Sequence, residues 1–139
     1  MAPELDPIHE LYGYTLSHPG PAFIHQHVVD AHAAQMASEE SKPIAAIFAL
    51  IGLYLHVEKS FTGRQVQVAH MQMARQRRVW PHLQIPEHRG AMCAADVLAV
   101  PPGPDRDTAI HRWCEIVWAS WKESHTEIAE LARRELGIE

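Results

Sequence analysis

Eleven histidines stand among 139 residues, and their spacing decides what chemistry they can carry. On a helix, side chains three or four residues apart share a face and can converge on one ion. His27 and Asp30 have that spacing. His25 and His32 are seven apart, about 10.5 Å along a helix axis, and need another element between them to share an ion. A metal centre in a helical bundle draws its ligands from several helices, and His125 together with His56 or Glu58 would complete such a set. The expected metal ligands are therefore His25, His27, Asp30, Glu58 and His125, with His25 able to replace His27, around a divalent Zn, Ni or Fe ion. Glu58 and His125 are also the candidate catalytic pair. A carboxylate beside Ile51 and Leu55, directed at the core, has its pKa raised unless a cation meets it, and His125 is a plausible partner. The competing reading makes these histidines half-buried edge residues, hydrogen-bonded to backbone or carboxylates.

Other chemistries find little support. Cys93 and Cys114 stand outside any Cys-x-x-Cys spacing, and Cys114 falls on an apolar helix face where a thiolate is disfavoured. The chain has no Gly-rich phosphate loop, no G-x-S-x-G and no H-E-x-x-H. A formal charge of −5 argues against nucleic acid as a partner. Arg75, Arg77 and Arg78 have a simpler explanation at a helix C-terminus, where cations suit the dipole. The longest apolar run, Ile44 to Leu55, covers twelve residues, short of the roughly 20 that a membrane span needs. With no export signal and no cysteine framework, the expected setting is a reducing cytoplasm. The expected partners are a small molecule and, through the histidine-rich edge or the region of Met71, Met73 and Trp80, a second copy of the chain.

The elements that must position these residues are helical almost throughout. Asp6-Pro7 caps a helix to about Leu16, ended by the Ser17–Pro21 segment. A second helix starts near Pro21 with Ile24, Val28, Ala31 and Gln35 on one stripe. A third runs from Pro43 to about Ser60, carrying a bulky stripe (Ile44, Ile47, Ile51, Leu55) beside a small one (Ala45, Ala49, Gly52, His56). Thr62 caps a fourth helix to about Val79. After a short element around Ala91–Val100, Asp105 or Asp107 caps a long final helix to about Leu136, uninterrupted by Gly or Pro. Its apolar arc holds Trp113, Cys114, Val117, Trp118, Trp121 and His125. The three tryptophans read as core. Strand signals are nearly absent. The predicted architecture is an all-α single domain, a compact bundle of five to six helices with a long C-terminal helix.

The string from Pro21 to Gln35, with His25, Asp30, Ala31, Ala33 and Gln35 in an H-x4-D-A-x-A-x-Q pattern, is joined by Leu53-Tyr54-Leu55 with Glu58. A later string, Val117-Trp118-Ala119-Ser120-Trp121, is followed by His125. Together they resemble a bacterial family of uncharacterised proteins, over about His9 to Arg133. The resemblance implies a set of positions, His25, Asp30, Gln35, Glu58, Trp118, Trp121 and His125, and no activity. Some members begin with a Cys-x-x-Cys segment similar to a small zinc ribbon. This sequence has no cysteine before Cys93, so no zinc role follows from that segment. In size and helix content the chain also resembles metal-binding bundles of the DNA-damage-inducible type. Those place H-x-x-x-H on a late helix, where this chain has His111 followed by Glu115, and the likeness is one of fold alone.

Overall fold

A computed structural model describes residues 6–18, 20, 22–76 and 78–139. Within them the chain forms seven α-helices and no strand: α1 (Pro7–Leu16), α2 (Ile24–Met36), α3 (Pro43–Lys59), α4 (Gly63–Ala74), α5 (Ala94–Leu98), α6 (Pro104–Ser120) and α7 (His125–Leu136). The Asp6 carboxylate accepts from the Ile8 amide at 3.2 Å and starts α1. Thr62 and Gln65 form a capping box at the head of α4, each side chain satisfying a backbone amide that the first turn leaves free. Pro21, the expected start of the second helix, lies outside the described residues, as does Arg77. Helix α2 itself begins at Ile24, after Phe23 turns through the left-handed region at φ 43°.

Helix α3 is the hub, packing against α2, α4, α6 and α7. Its residues from Ala46 to Leu55 are buried apart from half-buried Phe48, while Ile44, expected on the bulky stripe, is exposed. Trp113, Trp118 and Trp121 are core residues, none more than 3% exposed.

The count of five to six helices and the single long C-terminal helix both need correction, for one reason. Trp121 leaves helical geometry (φ −98°, ψ 23°), a 3₁₀ turn occupies Lys122–Ser124, and α7 then restarts at His125. Neither Gly nor Pro marks the break. Two side chains compete for the carbonyls that would continue the helix. Ser120 Oγ donates to Val117 O at 2.6 Å, and His125 Nε2 donates to Trp118 O at 2.8 Å. A side chain that takes its i−3 carbonyl, as Ser120 does, bends or ends a helix without a breaker residue, and His125 bonds back across the break from seven residues on.

The α6 start also differs from expectation. Gly103 (φ 118°) is the N-cap and Pro104 the first residue, so Asp105 and Asp107 sit inside the first turn and are not caps. Helix α4 ends at Ala74, before the expected Val79, and Arg78 lies beyond it. The stretch from Arg78 to Cys93 has no regular secondary structure. Gln35 pins its far end, donating through Nε2 to Arg89 O at 3.1 Å and Met92 O at 2.7 Å while Oε1 accepts from Trp113 Nε1 at 3.2 Å.

Candidate functional site

Helices α2, α3 and α6 meet around a cavity of about 390 Å³. Its wall carries His27 from α2, His56 from α3, and Asp107 and His111 from α6, with Ile24 and Phe61 supplying apolar surface. Gly63 closes the edge nearest α4, where its amide donates to Ala22 O at 2.6 Å. A Cβ there would lie 1.8 Å from Phe23 O, so only glycine lets the two backbones approach this closely.

The three imidazoles touch in series. His27 stacks on His56 with ring centroids 3.5 Å apart and planes 17° from parallel, and His56 meets His111 edge-on at 4.8 Å. Hydrogen positions follow from the partners. His56 Nδ1 lies 3.1 Å from Phe61 O, a pure acceptor, so Nδ1 carries the hydrogen and a neutral His56 has a bare Nε2. That Nε2 faces His111 Nδ1 at 2.9 Å. His111 Nε2, on the other side of its ring, is 3.7 Å from Glu115 Oε1.

Burial dominates the electrostatics. His27 is pushed down to about 3 by loss of solvent, then by the charges His56 and His111 would carry. His56 is lowered by the same desolvation. At neutral pH both rings are uncharged with lone pairs available. Among the described residues, buried His27 has no hydrogen-bond partner for its Nδ1.

One turn further along α2, Asp30 is buried among α2, α3 and α6. Gln26 Nε2 donates to its Oδ1 at 3.1 Å, and Oδ2 has no partner. Gly52 on α3 is what admits it: a Cβ there would stand 1.9 Å from Oδ2. Desolvation raises the Asp30 pKa well above its ordinary value of 3.8, which favours the neutral acid. The small-residue stripe of α3 is thus a notch for a carboxyl group. Its neighbour Cys114 is buried, with a pKa raised by desolvation, and its thiol is inert.

The expected ligands fare unequally. The structure brings His27 and the alternative His56 to the cavity and sets Asp30 behind it. His25 turns to α1, where Nδ1 lies 2.8 Å from Thr15 Oγ1 and Tyr12 packs against the ring at 5.2 Å. Glu58 is exposed near the end of α3, which corrects the expectation of a core-directed carboxylate. His125 stacks on Trp118 at 3.8 Å and donates to the Trp118 carbonyl. It does not line the cavity, and its described hydrogen bond goes to Trp118 O and not to Glu58. His111 and Asp107 were not among the expected residues. Their signal is the register Asp107, His111, Glu115, spaced four apart on one face of α6.

Among the described residues, no three or more His, Cys, Asp or Glu side chains already have a metal-holding arrangement. No described helix is long and apolar enough to cross a membrane. No curated protein and no solved structure matches the chain. The model of a family of unknown function, DUF5946, matches residues 6–122.

Proposed function

The chain belongs to the family of unknown function DUF5946, which brings no activity with it, and on the geometry we propose a small helical bundle that takes a divalent transition metal between His56 and His111. The observation that carries this reading is the 2.9 Å contact between His56 Nε2 and His111 Nδ1, with the opposite nitrogen of His56 bonded to Phe61 O and that of His111 3.7 Å from the Glu115 carboxylate. Metal-ligating histidines typically donate their other N–H to a backbone carbonyl or a carboxylate, which fixes ring and tautomer. His56 has Phe61 O in that position, and His111 has Glu115.

A hydrogen on His111 Nδ1 satisfies the short contact but leaves a neutral His111 with a bare Nε2 facing a carboxylate. A cation between the rings removes that conflict, because both inner nitrogens become donors of lone pairs and His111 Nε2–H turns to Glu115. Two nitrogens on a tetrahedral Zn²⁺, each about 2.0–2.1 Å from it, stand about 3.3 Å apart. The rings need open by only a few tenths of an ångström. His27, neutral and next in the series, becomes the third ligand when its ring tilts out of the stack. Imidazole donors suit Zn, Ni and Fe alike, and the adjoining cavity is of a size for a small molecule.

Zinc titration of metal-free protein by calorimetry tests this reading. One ion per chain is expected, lost in His56→Ala and His111→Ala and retained in Glu58→Gln. Uptake unchanged by both histidine substitutions would contradict it.

The alternative reading, a non-catalytic bundle with a self-association surface, retains less of its original basis. Met73 and Trp80 are buried, and the exposed apolar residues of that region are Val68 and Met71 on α4 and Val79 beside Trp80.

A further inference from the structure

The charge of the chain is unevenly placed. From Lys59 to Pro86 the sequence holds five of its twelve Lys and Arg residues and none of its seventeen Asp and Glu residues, which leaves seven cations against seventeen carboxylates elsewhere. Helix α4 lies inside that stretch. Its Arg64, Val68, Met71 and Arg75, at steps of four, three and four, share one stripe over about 16 Å, and all four are exposed. Beside the stripe, Phe61, Val68, Leu136 and Ile138 line a groove of about 340 Å³ between α4 and the end of α7. The opposite charge stands further along the same two elements. Gln72 Nε2 donates to Glu135 O at 3.4 Å, and Arg78 pairs with the Glu135 carboxylate at 2.9 Å. Past this contact, Val79, Trp80 and Pro81 run beside the start of α7, where Glu123, Glu127 and Glu130 line a cavity of about 660 Å³ with them. Glu130 is held by Arg133, whereas Glu123 and Glu127 form no ion pair among the described residues. Val79 is fully exposed.

We propose that this side of the molecule docks a second copy of the chain, reversed so that the α4 stripe of each copy meets the Glu123–Glu130 face of the other. A two-fold axis makes both contacts at once and closes the assembly at two chains. Charge decides the orientation. Pairing α4 with α4 sets arginine against arginine, and pairing α7 with α7 sets carboxylate against carboxylate, while the reversed arrangement matches unlike charges at both ends. It also covers Val68, Met71 and Val79, three of the six large apolar side chains left exposed among the described residues. Nucleic acid fits the face less well, since the surface between the two arginines is aliphatic and offers no ring on which bases stack. None of these arginines and carboxylates lines the histidine cavity, so the proposal stands apart from metal binding.

Sedimentation equilibrium over a wide range of protein concentration, with a chelator present, tests this in wild type, in Arg64→Glu with Arg75→Glu, and in Glu123→Lys with Glu127→Lys. Wild type should form dimers and nothing larger. They should weaken as salt is raised from about 0.1 M to 1 M, where the Debye length falls from about 10 Å to 3 Å. Each charge-swapped chain alone should dimerise at least about 10-fold more weakly than wild type. Mixed in equal amounts, the two should recover the wild-type affinity, because both contacts of the mixed pair again join unlike charges. A misfolded variant could not produce that recovery, and circular dichroism checks that each chain keeps its helices. Wild-type monomers at every concentration, association indifferent to salt or to either swap, or a mixture of folded variants as weak as its components would overturn the proposal. A monomeric wild type that binds duplex DNA, with binding lost in Arg64→Glu with Arg75→Glu, would overturn it in favour of nucleic acid.

Discussion

Asp30 is the residue whose energetics are most exposed to test. Its folded pKa lies above its unfolded value of 3.8, so between the two the folded state binds the extra proton. The contribution of Asp30 to stability is fully present below pH 3.8 and is lost as pH rises through the folded pKa. Asp30→Asn removes that loss. Urea denaturation should find Asp30→Asn equal to wild type near pH 3.5 and more stable at pH 8, and the reverse ordering would show that the carboxylate is ionised and paired. Gly52→Ala drives a methyl group into Oδ2 and should cost about 1–3 kcal/mol, relieved in the double variant with a smaller residue at position 30. The sequence placed His27 and Asp30 on one helical face, which they share. It did not show that one opens on a cavity and the other is sealed against Gly52, because that depends on which helix covers each. Wheel geometry also placed Glu58 toward the core, but at the end of α3 no neighbouring helix covers it.

At the scale of elements, the break between α6 and α7 determines what His125 does. A side chain that donates to Trp118 O and covers the Trp118 ring is a structural cap, so His125→Ala should lower stability by about 1–3 kcal/mol and leave zinc stoichiometry at the wild-type value. Loss of zinc in a folded His125→Ala would return this residue to the site. Gln35 has the same kind of role in a different element. Its amide makes three hydrogen bonds, two to the extended stretch and one from Trp113. Gln35→Ala should make the segment from Arg78 to Cys93 the first site of limited proteolysis, with cleavage rates several-fold above wild type. Helix existence was legible wherever a cap and a periodic face coincided, as at Asp6-Pro7 and Pro43. The 3₁₀ turn was not legible, since Ser120 and His125 end α6 by hydrogen bonds that are visible only once the fold has formed.

Across the whole molecule, histidines set the acid limit of stability. His25, His27, His32, His56 and His70 all have folded pKa values below 6.5, in each case chiefly from burial. Below pH 6.5 the unfolded chain binds more protons at these positions than the folded one, so the histidine contribution to stability is complete above that pH and declines as pH falls, that of His27 down to about 3, while Asp30 acts in the opposite direction. In Asp30→Asn, where the opposing carboxyl is gone, thermal midpoints should therefore begin to drop near pH 6.5, ahead of the ordinary carboxylates. His70→Asn, which removes a ring bonded to Phe48 O at 2.7 Å, should flatten part of that slope. The all-helical class was legible from periodicity over the whole chain. The site was only half legible, because the meeting of His56 and His111 depends on how α6 packs against α3, which helix periodicity does not specify. The most direct measurement of the central claim is the zinc content of protein purified without an affinity tag and reconstituted with Zn²⁺. The expected result is one ion per wild-type chain, none in His56→Ala or His111→Ala, and one in His125→Ala. A wild-type chain without zinc, or a His111→Ala chain that keeps its full complement, would contradict it.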